Sequence, residues 1–143
     1  MMYGSLVLLF APLPGLRTRL FPLTPALVAT GFVVQSLAMS LAFWARRHLG
    51  RNWSGEVRIA SQHRLVRSGP YRVLRHPIYS AMLGMFLGTT IVSGELHALI
   101  GFVIIGVAYA RKVPIEERAL SDAFGAEWDD YRRASWALVP GIY

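Results

Sequence analysis

Two short segments of the sequence concentrate the side chains that could perform chemistry. The first, GPYRVLRHPIY at residues 69–79, combines His76 with two tyrosines, two arginines and two prolines. The second contains the neighbouring carboxylates Glu116 and Glu117, which follow a long apolar stretch by only a few residues. An unpaired carboxylate in such a place is costly, so we expect the glutamates to pair with a nearby cation or with a cationic ligand. A surface salt bridge to a neighbouring arginine is the alternative.

The position of Pro77 predicts where the first segment lies. Proline is tolerated in the first turn of a helix, where its missing N–H costs nothing, so it would place His76 at the helix cap. His76 and Tyr79 would then lie where a helix enters the apolar block. Aromatic and basic residues at a helix end are also ordinary interfacial anchors, and composition alone favours that simpler explanation.

The composition indicates a membrane protein. Of the 143 residues, 54% are hydrophobic and only 16% are charged, which is far from the balance of a soluble domain. The 15 Lys and Arg residues outnumber the 8 Asp and Glu residues, and in so apolar a chain this excess favours anionic lipid headgroups over nucleic acid as the partner. The chain has no cysteine, which excludes disulfides, thiolate metal sites and cysteine nucleophiles, and no metal site is predicted.

Stretches without charged residues predict the helices of a single all-α membrane domain that spans residues 1–143. The three predicted transmembrane helices are residues 20–45, 76–94 and 96–110. The first is long enough, at about 1.5 Å per residue, to cross a hydrocarbon core of about 30 Å. The other two are separated by the turn SGELH and predict a helical hairpin. Residues 1–16 are apolar but are broken by two prolines, so we expect a short or truncated N-terminal helix there.

The basic residues predict how the domain is oriented. Thirteen of the fifteen fall in two blocks, residues 46–75 and 111–133. These blocks share one side of the membrane because the hairpin at 76–110 returns the chain to the side it left. The positive-inside rule makes that side cytoplasmic, in a multi-pass integral membrane protein.

A stripe of apolar residues predicts an amphipathic C-terminal helix over residues 115–133. The stripe consists of Leu120, Phe124, Trp128 and Tyr131, at the spacing of one helix face. Membrane or core packing explains the stripe better than a cofactor site does. We expect this helix and the loop before the hairpin to meet on the cytoplasmic side.

Taken together, the motifs resemble the isoprenylcysteine carboxyl methyltransferase and phospholipid methyltransferase family, integral membrane enzymes that use S-adenosylmethionine. The motifs are LGRNWS, HRLVRSGPYRVLRHPIYSAMLG and EERALSDAFGAEWDDYRR, and the resemblance covers about residues 44–141. It implies a helical membrane fold in which the cytoplasmic loop and the C-terminal helix enclose the cofactor. It also implies methyl transfer to a lipophilic acceptor, with the carboxylate of an isoprenylcysteine-like substrate as the first choice.

The resemblance also implies the roles of individual residues. Cofactor contacts are expected from His63, Leu65, Val66, Tyr71, His76, Pro77, Ile78, Tyr79 and Glu116. His76, Glu116 and Glu117 are the expected catalytic residues. Lys112 and Arg111 are the expected substrate-binding residues, because Lys112 stands where relatives with a prenylcysteine substrate carry an arginine that faces the substrate and Arg111 is next to it. Lysine is a point charge and cannot make the planar bidentate pair of arginine, so this departure bears on the substrate class.

Three other functions remain open at the level of the sequence. A phospholipid amine N-methyltransferase would fit the same scaffold. An NADPH-dependent sterol-type reductase is suggested by the ending FGAEWDDYRRASWALVPGIY. A non-catalytic small membrane protein that keeps the scaffold is the third. The sequence predicts no particular oligomeric state.

Overall fold

The computed structural model describes residues 18–50 and 65–142, and within these ranges the fold is helical. The helices are α1 (Pro25–Leu49), α2 (Pro77–Ser93), α3 (Leu96–Phe124) and α4 (Ala126–Arg133), with a short 3₁₀ turn at Gly69–Arg72. The described ranges contain no strand, only two isolated bridges, Arg19 with Glu95 and Leu74 with Trp136. The predicted all-α class is therefore confirmed for these ranges. The predicted N-terminal helix at 1–16 and His63 lie outside the described residues.

Helix α1 begins and ends at clear local signals. The Thr24 side chain accepts a hydrogen bond from the Leu27 N–H, 3.2 Å away, and Pro25 occupies the first helical position. The helix runs through Arg46, Arg47 and His48 before it ends, because positive charge in the last turn suits the negative end of the helix dipole. It therefore extends beyond residue 45, where the charge-free stretch ends.

Helices α1 and α2 pack closely because glycines face each other across the contact. A Cβ atom built on Gly88 would lie 2.5 Å from the Gln35 Cγ and 2.9 Å from the Gly31 carbonyl oxygen. Gln35 Nε2 donates a hydrogen bond of 2.8 Å to Thr89 Oγ1 across the same contact. Small residues that allow helix backbones to approach, with a polar side chain bonded across them, are typical of packing within membranes.

Helices α2 and α3 form the predicted hairpin. Gly94 ends α2 in the left-handed conformation, with φ of 63°, which glycine adopts without steric cost. Helix α3 then continues for 29 residues, through Pro114 and the charged residues that follow it. The helix ends instead at Gly125, where φ is 52°. The segment 115–133, expected as one amphipathic helix, is thus divided between the end of α3 and α4.

Two of the described helices, α1 and α3, are long and apolar enough to cross a membrane. Helix α2 is also apolar but has 17 residues. On α1 the side chains of Phe32, Val33, Leu37 and Phe43 are each more than half exposed. An apolar surface of this kind suits contact with lipid rather than with water.

The segment after α4 returns to the start of α2. The Arg75 N–H donates to the Trp136 carbonyl (2.7 Å), the His76 N–H donates to the Ala137 carbonyl (3.1 Å), and the Trp136 N–H donates to the Val73 carbonyl (2.9 Å). Ala137 and Leu138 pack with Val113 of α3 in a small buried cluster. The backbone of residues 73–76, which leads into α2, is therefore hydrogen-bonded to residues 136 and 137.

Candidate functional site

His76 lies at the N-terminal cap of α2, directly before Pro77. Both residues are buried, and the histidine side chain is 7% exposed. Because α2 begins here and the segment 136–137 fixes the preceding backbone, the imidazole has a defined direction. It points toward the charged part of α3.

The imidazole of His76 lies between two carboxylates of α3. Its Nδ1 is 3.5 Å from Glu116 Oε2, and its Nε2 is 3.4 Å from Glu117 Oε1. The Nε2 is buried and makes no hydrogen bond within the described residues. Residues that are 40 positions apart in the sequence thus meet where α2 begins and the apolar part of α3 ends.

Glu116 is held by groups from both helices. The Tyr79 hydroxyl donates a hydrogen bond of 2.6 Å to Glu116 Oε1, and Lys112 Nζ lies 3.4 Å from the same oxygen. The glutamate side chain is 16% exposed. Glu116 is thus a mostly enclosed carboxylate whose Oε1 faces a hydroxyl donor and a cation, while its Oε2 faces His76.

Glu117 has a different partner, Arg75. Arg75 Nε donates to Glu117 Oε1 at 2.7 Å, and its Nη1 donates to the carbonyls of Arg132 (3.1 Å) and Ser135. The two charged side chains are 10% and 11% exposed. This nearly buried ion pair joins the loop before α2 to α3 and to the end of α4, so we interpret it as the structural support of the site.

Three aromatic rings are stacked beside the carboxylates. The rings of His76 and Tyr79 are almost parallel, with centroids 5.5 Å apart, and the rings of Tyr79 and Tyr109 lie 4.4 Å apart. Tyr109 is buried on α3, and the sequence reasoning missed it. The available signal was its spacing: Tyr109, Lys112 and Glu116 follow at three and four residues, which places them on one face of a helix.

A second cluster fixes the 3₁₀ turn against α4. The Tyr131 hydroxyl donates a hydrogen bond of 2.7 Å to the Tyr71 carbonyl. Arg67 lies over the Tyr131 ring, 5.5 Å from its centroid, and pairs with Glu127 at 3.2 Å. Burial raises the pKa of Tyr131 to about 12 and also raises the pKa of Tyr71. Both hydroxyls therefore stay protonated at neutral pH.

The remaining predicted residues lie around this centre. Leu65 and Val66 are half-buried in the chain that leads to the 3₁₀ turn. Ile78 forms part of a groove of about 240 Å³ with Met39, Ala42, Phe43 and Arg46 of α1. Arg111 is exposed and makes no ion pair within the described residues. The structure thus brings His76, Tyr79, Lys112, Glu116 and Glu117 together, and leaves Arg111 outside the cluster.

The chain is similar to known methyltransferases in its sequence and in its fold. Residues 26–127 match the model of the phospholipid methyltransferase family. A probable protein-S-isoprenylcysteine O-methyltransferase of Oryza sativa subsp. indica is 29% identical over 81% of this chain and 59% of its own length. Protein-S-isoprenylcysteine O-methyltransferase B of Arabidopsis thaliana is 30% identical over 65% of this chain and 49% of its own length.

A bacterial relative and a solved structure extend the comparison. The cobalt-zinc-cadmium resistance protein CzcN of Cupriavidus metallidurans is 30% identical over 83% of this chain and 51% of its own length. The structure of the eukaryotic intramembrane Ras methyltransferase ICMT, an isoprenylcysteine carboxyl methyltransferase, has a TM-score of 0.78 and 26% identity. The match covers 98% of this chain and 50% of that one. The chain spans about half to three fifths of the length of the relatives it matches.

Proposed function

The chain belongs to the phospholipid methyltransferase family, and on that basis we propose that it transfers a methyl group from S-adenosylmethionine to a lipophilic acceptor. The preferred acceptor is the carboxylate of an isoprenylcysteine-like substrate, the substrate class in the names of several relatives. The observation that carries the proposal is the enclosed cluster of His76, Tyr79, Glu116 and Glu117 at the end of apolar helices.

The residues of this cluster fit a cationic cofactor. S-adenosylmethionine carries an ammonium and a sulfonium, and the cluster offers two carboxylates, three stacked aromatic rings and a buried imidazole nitrogen without a hydrogen bond. Glu116 would hold the ammonium by a charge-assisted hydrogen bond. The rings of Tyr71 and Tyr79 would face the sulfonium or the adenine, since cations bind to aromatic faces with about 0.5–2 kcal/mol.

The cofactor, when bound, supplies a methyl group that is activated for displacement by the adjacent positive sulfur. With a carboxylate as acceptor, little acid or base catalysis is required, so the protein acts mainly by positioning the reactants and excluding water. Glu116 and the segment His76–Tyr79 do the positioning, together with Leu65 and Val66. With an amine as acceptor, a proton must first leave the ammonium, and of the two bases expected from the sequence, His76 and Glu117, we favour His76, because Glu117 is held in the ion pair with Arg75.

The membrane topology follows from the same proposal. We place α1, α2 and α3 across the bilayer, with the site on the cytoplasmic side, where most of the basic residues are found. Helix α2 has 17 residues, which at about 1.5 Å each is slightly short for a core of about 30 Å. The site then lies at the membrane surface, and a lipid substrate enters it between the helices.

A labelling experiment tests the proposal and separates the acceptors. Membranes that contain the protein are incubated with methyl-labelled S-adenosylmethionine and an isoprenylcysteine analogue. We expect label that is released as a volatile product by alkali, as from a methyl ester, and we expect the Glu116→Gln variant to lose most of it. Stable label in the lipid phase would instead indicate an N-methylated lipid amine.

The other outcomes decide against the proposal. Consumption of NADPH without methyl transfer would support a reductase. No transfer to any lipid, from protein shown to be folded, would support a non-catalytic membrane protein.

A further inference from the structure

The carboxylate proposed to hold the cofactor already has a cation of its own chain beside it. Lys112 Nζ lies 3.4 Å from Glu116 Oε1, the oxygen that also accepts the Tyr79 hydrogen bond. The same ammonium lies 5.3 Å from the centroid of the Tyr79 ring. Lys112 therefore uses the two features, a carboxylate and an aromatic face, that a bound cationic ligand would use.

The lysine reaches this place from solvent, while the carboxylate is enclosed. The Lys112 side chain is 45% exposed, whereas that of Glu116 is 16% exposed. A side chain that is nearly half exposed can move away without opening the helical packing. The carboxylate and the Tyr79 hydroxyl would stay in place when it leaves.

The pairing of Lys112 with Glu116 is of a weak kind. The two residues are four positions apart on α3 with the lysine first, and this order is less favourable than the reverse because it opposes the helix dipole. Pairs of this order on a helix contribute only a few tenths of a kcal/mol, about 0.2–0.5. A ligand cation can displace it at small cost.

The type of the residue is also notable. Lys112 is the single lysine of the chain, which has 14 arginines. An arginine would pair with the carboxylate through a planar fork of donors, whereas the lysine ammonium is a flexible point charge. The cation beside Glu116 is thus of the kind that lacks a fixed bidentate geometry with the carboxylate.

We propose that Lys112 is an internal competitor for the Glu116 carboxylate, which the cationic cofactor displaces when it binds. The inference rests on the proposed function, because it needs a cationic ligand at Glu116. It assigns to Lys112 an effect on cofactor affinity, which is separate from any contact with the methyl acceptor. Removal of the lysine charge should therefore tighten cofactor binding.

Calorimetric titration of the detergent-solubilised protein with S-adenosylmethionine at low salt tests this inference. We expect Lys112→Met to bind about two- to threefold more tightly than the parent, since the lost pair is weak. We expect Lys112→Arg to bind more weakly than the parent, because arginine pairs better with a carboxylate. The difference between Lys112→Met and the parent should shrink in 1 M salt, where charges are screened.

The matched control is Arg111→Met, which removes the same charge one residue away, where no ion pair with Glu116 is found in the described part of the chain. Equal tightening in both methionine variants would indicate a general charge effect and would overturn the inference. Weaker binding by Lys112→Met would overturn it as well. If the parent did not bind S-adenosylmethionine at all, the proposed function would fail first.

A second readout follows the lysine itself. Because the chain has a single lysine, an amine-specific acetylating reagent and peptide mass spectrometry report on Lys112 alone among the side chains. With the reagent in large excess over the cofactor, whose own amine also reacts, we expect the rate of Lys112 acetylation to rise when S-adenosylmethionine is saturating, as the ammonium leaves Glu116. An unchanged or slower rate would contradict displacement.

Discussion

At the scale of single residues, His76 and the two glutamates form one cluster in which Glu116 and Glu117 have different partners, and we propose a binding role for the first and a supporting role for the second. Glu116 is mostly enclosed and accepts a hydrogen bond from the Tyr79 hydroxyl, whereas Glu117 is nearly buried against Arg75. The imidazole contacts both. Adjacent residues of one helix therefore have different roles because their neighbours differ.

The binding role of Glu116 leads to a first prediction. Glu116→Gln keeps an acceptor for the Tyr79 hydroxyl but removes the charge, and with it a charge-assisted hydrogen bond to the cofactor of about 1.5–3 kcal/mol. We expect the affinity for S-adenosylmethionine in calorimetric titration to fall roughly ten- to a hundredfold. Asp122→Asn, at an exposed position of the same helix, is the control and should bind as the parent does. Equal affinity of Glu116→Gln and the parent would remove Glu116 from the site.

The support role of Glu117 leads to a second prediction. Arg75→Met removes the closest cation from a nearly buried carboxylate, which keeps only the longer contacts with Arg132 (3.7 Å) and His76 (3.4 Å). Breaking a buried pair costs up to about 3–5 kcal/mol of the free energy of unfolding. We expect a clearly lower melting temperature in detergent. The double variant Arg75→Met with Glu117→Gln should recover part of the loss, because the uncompensated charge is gone.

An exposed ion pair serves as the control for that measurement. Arg133 pairs with Asp130, and both side chains are more than two thirds exposed. Arg133→Met should change the melting temperature little, because exposed pairs contribute about 0–1 kcal/mol. If Arg75→Met melted like Arg133→Met, the pair with Glu117 would not support the site.

The sequence predicted most of the residues of this cluster but not which of them contact each other. His76 at a helix cap was predictable from the proline after it, and Glu116 from the resemblance to the family. The stacking of Tyr109 on Tyr79 depends on how α2 and α3 face each other, and no local pattern contains that information. The same holds for the choice of Arg75 as the partner of Glu117.

At the scale of elements, α3 connects the apolar part of the molecule to its charged part. Its first half is apolar, and its continuation past residue 110 carries Lys112, Glu116 and Glu117 in unbroken helix. Because α3 is one continuous helix, it fixes the position of the two carboxylates relative to the start of α2. The length of the charge-free stretch predicted where the apolar half of α3 ends. It did not predict that the helix continues through Pro114 to Phe124.

The contact between α1 and α2 gives a third prediction. Gly88→Ala would place a Cβ 2.5 Å from Gln35 Cγ and 2.9 Å from the Gly31 carbonyl, and overpacking of this kind costs about 1–3 kcal/mol. We expect a lower melting temperature in detergent. At Gly106 the nearest atom to a new Cβ is Leu83 Cδ2 at 3.9 Å, so Gly106→Ala should be neutral or slightly stabilising. Equal melting of the two alanine variants would mean that α1 and α2 do not pack as described.

At the scale of the whole molecule, the apolar helices and the likeness to an intramembrane enzyme indicate an integral membrane protein. We expect the protein to stay in the membrane fraction after washing with high salt or alkaline carbonate and to require detergent for extraction. Apolar helices that cross the bilayer resist both washes because neither weakens burial in lipid. Release by carbonate would contradict the architecture.

The backbone hydrogen bond from His76 to Ala137 has a consequence for biosynthesis. Ala137 is translated 61 residues after His76, which at about 5–20 residues per second is a delay of about 3–12 s. All of α1, α2 and α3 is made before the segment that fixes the imidazole. The hydrophobic helices are therefore synthesised before the segment that completes the backbone contacts around His76, and insertion of the first helices can begin before those contacts form.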